Sequence, residues 1–423
     1  MQKDKILFLG GDPGTCEMIE YAKRQGVYTI VTDWYDLRHS KAKGMADEHW
    51  KISYADVDLI EKKCLENHVT AVMAASSEFA TGVMIELCER LSLPCFVDKK
   101  TFFYEKDKAE FKKMCQKHNV KTPASMVVEH VSDIDWEKIE YPVVVKPIDQ
   151  CGGKGMSYCR TRQEVVNACE KVRNNSSSSK ILIEKKIEGI VYAAYYLFAE
   201  GEGKLLFLHS EIKSDVSTPR ACQTGSTIAK CKDIYMTQMN EKIIDTLAEC
   251  GCKDYVAWVE AILDENGDFY AIEMAHRCGA DLQPVEYSCF GKIDLMKWGV
   301  DYALGNRHSK QELAGIDDGE ANGFAYSAMI VCEKSGTIEQ IIGIDKLEQI
   351  ERVNILLNVC VGDKVEAGGK EIGYIGYWTT DLEELYQLIN EIQHSLKIVN
   401  QSGENMMKNY VTVDIFREIE EIA

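Results

Sequence analysis

Between residues 255 and 277 the chain reads YVAWVEAILDENGDFYAIEMAHR, and this stretch constrains the fold more than any other. Two runs rich in β-branched and aromatic residues flank DENGD, whose Asn266-Gly267 pair favours the backbone of a tight hairpin turn. A connection this short forces the two strands to run antiparallel. Glu260 and Glu273 each stand about six residues from the turn centre, which makes them cross-strand neighbours. Facing carboxylates repel unless a cation lies between them. Mg2+ suits that position, because it is a hard ion held by a few carboxylates and substrate phosphates. Arg277 follows four residues after Glu273, close enough along the chain to reach the same phosphates. The plainer alternative is an exposed pair that shares no site.

The chain has 423 residues, too many for one ordinary domain at roughly 100–200 residues each. Over residues 1–98 short apolar runs alternate with helical spacing. Strands are expected at 5–9, 28–32, 49–52, 70–75 and 94–97, with helices at 15–24, 56–66 and 78–90. This alternation predicts a parallel, doubly wound sheet. A helix at 107–118 follows, then strands at 124–128, 141–146 and 156–159, a helix at 162–173, and antiparallel strands at 180–184, 191–199 and 204–212. Residues 214–230 show no clear element. A helix at 233–250 precedes the hairpin, and helical stretches run to about residue 304. The tail, from about residue 312, reads as an α+β unit with strands at 323–332, 352–360 and 371–379 and a helix at 382–397.

Asp plus Glu number 68 and Lys plus Arg 49, a net charge of −19, which argues against a general nucleic-acid or anionic-membrane binder. The sixteen cysteines include no CxxC pair, so they read as reduced, buried small hydrophobes rather than a zinc site. The opening MQKDKILFLGGDPG is too weakly apolar for a secretory signal, and no run reaches the roughly 18 residues of a membrane span. A cytosolic protein is expected.

Three further segments carry chemistry. LGGDPG with Asp33 some twenty residues on resembles a dinucleotide turn, but it lacks the G-x-G-x-x-G spacing and reads more simply as a tight β–α turn. YPVVVKPIDQCGGKG, residues 141–155, delivers Lys146 on a strand and Lys154 in a glycine loop whose N–H groups can approach phosphate oxygens. ILIEKKIEG, residues 181–189, taken alone is a strand with an acidic end. Walker-type, H-E-x-x-H and G-x-S-x-G patterns are absent.

The order of these pieces resembles the ATP-grasp superfamily: a lysine on a strand, a glycine hairpin, a hinge glutamate, then paired carboxylates ending in E-x-x-x-R. It is similar to the carboxylate–amine ligases related to the carbamoyl-phosphate synthase large subunit, glycinamide ribonucleotide synthetase and the L-amino-acid ligases. The resemblance implies an α/β and α+β fold. A Rossmann-like pre-ATP-grasp domain would cover residues 1–98. A two-part ATP-grasp domain would cover 99–311, with the small half and flap at 99–190 and the large half and metal site at 191–311. A C-terminal α+β domain of biotin-carboxylase-like type would cover 312–423. It implies ATP with Mg2+ or Mn2+, small-molecule carboxylate and amine partners, no nucleic acid or membrane, and allows a homodimer.

By the same resemblance Lys108 and Lys146 match the lysines on the ATP phosphates, and Gly152, Gly153, Lys154 and Gly155 match the flap. Glu184 matches the hinge acid taking the adenine amino group, with the backbone from Lys185 to Ile187 on the ring edge. Glu260 and Glu273 match the metal ligands, and Arg277 the arginine on the transferring phosphoryl group. Two positions depart from the pattern. Val191 stands where a ribose-binding glutamate is usual, with Glu188 as its expected substitute, and Ala275 replaces an asparagine ligand of a second metal. Lys213 and Arg220, at and beyond the end of the strand bearing His209 and Glu211, are expected beside the carboxylate substrate, a guanidinium being suited to bidentate binding, with a solvated loop arginine the open alternative for Arg220. Two other functions remain open at this point: an ATP-binding regulatory or assembly protein, supported by Val191 and Ala275, and an NAD-dependent oxidoreductase.

Overall fold

Four parallel strands open the chain: β1 (Lys5–Leu9), β2 (Tyr28–Asp33), β3 (Glu48–Lys51) and β4 (Ala71–Met73), in the order β3-β2-β1-β4. The computed structural model describes residues 3–150, 153, 155–176, 178–213, 223–226, 231–279, 293–316, 323–367 and 371–407. Helices α1 (Pro13–Arg24), α2 (Lys41–Met45) and α3 (Val57–Asn67) connect these strands, and α4 (Glu78–Leu91) follows the last of them. Asp12 starts α1 by accepting from the Thr15 N–H at 3.0 Å, and Pro13 occupies the first turn, where its missing N–H costs nothing. The expected strand at 94–97 does not form. Phe96 and Val97 are buried, but as an irregular segment, with the Phe96 ring edge-on to Tyr255 at 4.7 Å. Apolar residues there reflect burial and not pairing.

Helices α5 (Lys99–Lys106), which the sequence pattern did not reveal, and α6 (Lys108–Lys117) lead into a four-stranded antiparallel sheet ordered β5-β8-β6-β7. Its strands are β5 (Ser125–Val128), β6 (Val143–Pro147), β7 (Ser157–Cys159) and β8 (Ile181–Lys185). Helix α7 (Arg162–Asn175) buries Val165, Cys169 and Val172 against it.

The largest sheet has eight strands. Its first part comprises β9 (Gly189–Ala199), β10 (Glu202–Lys213), β11 (Gln223–Ser226), β12 (Tyr255–Asp264) and β13 (Phe269–Ala275). β11 lies in the stretch expected to hold no element. Its second part comes from the tail: β14 (Phe324–Val331), β16 (Val353–Leu357) and β18 (Glu371–Thr379), completing the order β13-β12-β9-β10-β11-β14-β18-β16. The tail also forms a small sheet from β15 (Gly336–Ile342), β17 (Lys364–Val365) and β19 (Lys397–Asn400). Behind β9, β10 and β12 packs α8 (Glu241–Cys250), entered through a π-helical turn at Met236–Asn240, so the expected long helix at 233–250 is locally underwound. Helix α9 (Leu295–Ala303) packs against α1, β4 and β12, and α10 (Leu382–Ser395) covers the tail strands.

Among the described residues, no helix is long and apolar enough to cross a membrane. The thirteen described cysteines are all free thiols, eleven of them buried.

Candidate active site

The hairpin β12–β13 pairs Glu260 directly with Glu273, so both carboxylates project from one face of the sheet. A bulge immediately after Glu260 shifts the register of the following residues and leaves this pair intact. Burial pushes the Glu273 carboxyl up, but Lys108, Lys146 and Arg277 around it outweigh that effect and hold it below the usual range. Lys108 Nζ lies 3.1 Å from Glu273 Oε2 and donates to the Gln150 carbonyl at 3.0 Å, immediately before the glycine loop. One helix residue thus touches both the metal-type carboxylate and the base of the flap.

Helix α6 contributes a second cation that sequence reasoning missed. Lys112 lies one turn from Lys108 on the same helical face. Its Nζ is 2.8 Å from Glu184 Oε2, while Lys146 Nζ is 2.5 Å from Glu184 Oε1. The Lys112 contact is an ion pair without aligned hydrogen-bond geometry. All three side chains are buried. Burial pushes Glu184 up, yet the two ammonium groups more than compensate and hold its carboxyl at about 2. Burial moves Lys112 downward against the pull of Glu184. A carboxylate with an ammonium group close to each of its oxygens stays ionised at neutral pH.

The expectation that Glu184 takes the adenine amino group meets a carboxylate whose two oxygens each face a lysine. Two N–H groups of the hinge backbone are engaged within the protein: that of Lys185 donates to Ala124 O at 2.8 Å and that of Lys186 to Pro142 O at 3.0 Å. Glu188, the expected substitute for an acid at Val191, pairs with Lys186 and has a side chain 71% exposed. Gly153 and Gly155 both have positive φ, +66° and +74°, and a Cβ on Gly155 would meet Pro147 at 3.1 Å, so this turn requires glycine. Gly152, Lys154 and Arg220 lie outside the described residues, and of Lys213 only the backbone is described, paired with Gln223.

Arg277 is buried and anchored from the N-terminal sheet side. Its Nε donates to Glu105 Oε1 at 2.7 Å and its Nη1 to the Ser76 carbonyl at 2.6 Å, with the guanidinium carbon 5.5 Å from the Trp258 ring centroid. Burial pushes the Glu105 carboxyl up while Arg277 pulls against it. Glu105 is a second functional candidate missed from sequence, since it lies on the unanticipated α5.

The dinucleotide reading meets a physical obstacle. Asp33 is buried with Lys43, Nζ to Oδ1 at 2.6 Å, and accepts from Ser40 Oγ and from the Tyr35 N–H. A Cβ on Gly11 would meet Ser40 Oγ at 2.9 Å and the Ala42 Cβ at 3.1 Å, so α2 and its approach fill the space over the glycine turn. Among the described residues, the one cluster of three metal-capable side chains with ligand atoms within 4.8 Å is His39, Cys360 and Asp363, in the N-terminal and tail regions, and Arg38 already neutralises Asp363 at 3.0 Å.

Residues 107–310 match the family described as carbamoyl-phosphate synthase L chain, ATP binding domain. The chain is 26% identical over 359 residues to the 2-oxoglutarate carboxylase small subunit of Hydrogenobacter thermophilus, covering 78% of this chain and 72% of that protein. The structure superposes on an L-amino acid ligase from Bacillus licheniformis with a TM-score of 0.77 at 20% identity, covering 95% of this chain and 100% of the other. It superposes on the biotin carboxylase domain of the Hydrogenobacter thermophilus enzyme, solved with MgADP, ADP and bicarbonate, with a TM-score of 0.78 at 18% identity, covering 100% and 99%. The likeness of sequence thus extends over 78% of the chain, and that of fold over 95% or more of it.

Proposed function

We propose that this chain, whose residues 107–310 match the carbamoyl-phosphate synthase L chain ATP-binding family, is an ATP- and Mg2+-dependent ATP-grasp ligase that activates a carboxylate as an acyl phosphate and joins it to an amine. The observation that carries the reading is the convergence of Lys108, Lys146 and Arg277 on Glu273, which itself faces Glu260 across the hairpin. Phosphoryl transfer asks a protein mainly for positioning and for neutralisation of phosphate charge, and this group of residues offers both.

The donor set fits a hard divalent cation, with two carboxylates on one sheet face and no softer ligand between them. Glu260 and Glu273 would hold the Mg2+, which when bound neutralises phosphate charge and aligns the phosphoryl group. Lys108 moves from Glu273 toward the phosphates, Lys146 neutralises them from the small sheet, and Gly153 and Gly155 shape the turn that closes over them. Arg277, held in place by Glu105 and the Ser76 carbonyl, faces the reacting end. In the reaction a substrate carboxylate oxygen bonds to the γ-phosphorus and ADP leaves. The amine nitrogen then bonds to the carbonyl carbon, phosphate leaves and the amine loses a proton.

We place the unit boundaries near residues 98 and 311, with the small and large halves of the ATP-binding unit meeting near residue 190. A coupled ADP-release assay with Mg·ATP, a panel of carboxylates and an amine tests the function. Substrate-dependent ADP and phosphate are expected, and AMP with pyrophosphate would exclude the acyl-phosphate route. A regulatory protein without turnover would bind ATP yet release no ADP with any substrate.

A further inference from the structure

His209 is 1% exposed, and neither of its ring nitrogens has a hydrogen-bond partner among the described residues. Histidine buried for structural reasons is normally satisfied. His276, equally buried, still pairs one ring nitrogen, with Nε2 2.7 Å from the Asp254 carbonyl and Nδ1 without a partner among the described residues, whereas His209 pairs neither. Buried polar atoms without partners are rare and ask for an explanation, a ligand among them. Here the placement supplies one. Cross-strand register runs Glu273, Glu260, Ala193, His209 across β13, β12, β9 and β10, so all four side chains leave the same face of the sheet. In this row Ala193 stands between the carboxylate pair and the imidazole.

The next row on that face is aromatic. Trp258 pairs with Tyr195 across β12 and β9, and the Tyr195 ring stacks on Phe207 at 4.6 Å and 14°. Tyr195 lies 5.5 Å from the His209 ring and 6.2 Å from the Trp258 ring. Among the described residues, Trp258 Nε1 is also buried without a partner. The strip therefore offers three unused polar atoms beside flat apolar walls, and Leu356 and Tyr374 of the tail complete the same apolar cluster. Burial pulls the His209 imidazole down to about 3, so at neutral pH it is uncharged, with one nitrogen donating and one accepting.

We propose that His209 and Trp258 form the recognition edge for the far end of the carboxylate substrate, a planar uncharged group that both donates and accepts hydrogen bonds, as a carboxamide or an imidazole does. The proposal rests on the ligase reading above and names its substrate class. Four neighbouring strands span roughly 14 Å from Glu273 to His209, a distance that the reacting carboxylate, a short linker and a planar head group fill. A charged head group is disfavoured, because neutral imidazole and indole supply no countercharge.

The test uses the full chain with Mg·ATP and hydroxylamine as a common nucleophile, reading hydroxamate and ADP for individual amino acids. Asparagine, glutamine and histidine are expected to exceed leucine, methionine, aspartate and glutamate by roughly a hundredfold or more in kcat/KM, since a hydrogen-bonding site strongly rejects groups that leave it unpaired. His209→Leu should reduce that preference to less than about tenfold while leaving the KM for ATP unchanged. It should also melt at or above the wild-type Tm, because it removes unpaired buried nitrogens. His209→Gln, which keeps a donor and an acceptor, should restore much of the selectivity. A lower Tm for His209→Leu with selectivity intact would make His209 structural and overturn the proposal, as would a preference for aliphatic side chains in the wild type. Absence of ADP release with every carboxylate would instead overturn the ligase reading, and this inference with it.

Discussion

At the scale of single residues, the site is a small set of buried charges whose pairing decides both stability and turnover. Glu184 between Lys112 and Lys146 carries the largest consequence. Its folded value of about 2 lies below the ordinary 4.5, so its contribution is present above about pH 4.5 and is lost as pH falls toward 2. A shift of that size corresponds to about 3 kcal/mol. Glu184→Gln leaves two buried ammonium groups facing each other and should destabilise the protein by about 3–5 kcal/mol, whereas Lys112→Met leaves a neutral Lys146–Glu184 pair and should cost far less. Urea midpoints at pH 7 and pH 3 check both the order and the sign: the gap between wild type and Glu184→Gln should narrow at pH 3. A gap independent of pH would show that the carboxylate is not the source. Glu273→Gln tests the other end of the site. It keeps shape and removes one negative charge facing the cation and Lys108, so kcat should fall by about a hundredfold or more. Near-normal turnover in that variant would remove the ground for a Mg·ATP site on this hairpin.

At the scale of elements, register adds what position along the chain conceals. Val191 lacks the acid expected for ribose hydroxyls, and Glu188 is exposed and paired with Lys186. Glu211 stands directly across from Val191 on β10, half-buried, with its side chain on the same face of the sheet. We therefore expect ATP to exceed 2′-deoxy-ATP in kcat/KM by about a hundredfold, and Glu211→Ala to bring the two within about tenfold. Equal rates for the two nucleotides in the wild type would exclude Glu211 from this contact. The case illustrates what the sequence made legible. The hairpin turn DENGD set the Glu260–Glu273 register, and alternating apolar runs located nearly all strands of the first 275 residues. Lys112 had a usable signal, four residues after Lys108 on one helical face, that passed unread. Glu211 and Arg277's anchor Glu105 had none, since their partners come from strands and helices distant in sequence. In the tail, β15 reads GTIEQII with only Ile338 fully buried, so no alternation marks it, and β17 is two residues long.

At the scale of the whole molecule, the tail is built into the sheet that carries the site. β14 pairs with β11 through Thr224–Ala328, Gly225–Ser327 and Ser226–Tyr326, and β18 and β16 extend the same sheet. Leu356 and Tyr374 share one core cluster with Tyr195 and Phe207 beside the candidate substrate strip. A second link closes the chain from end to end: Asp363 lies 2.7 Å from His39 Nε2 and 3.0 Å from the Arg38 guanidinium, tying the turn after β16 to the loop after β2. These contacts argue against a tail that folds and acts on its own. A chain ending at residue 311 would leave the β11 edge with unpaired backbone groups and uncover the apolar face beneath Leu356 and Tyr374, conditions that favour edge-to-edge association. We expect that shortened chain to aggregate or to elute as large oligomers in size-exclusion chromatography, and to lose ATP-dependent turnover. If it instead ran as a monomer with the ATP affinity of the full chain, β11–β14 pairing would be an incidental contact between independent units. The substrate strip would then have to be complete within the first 311 residues.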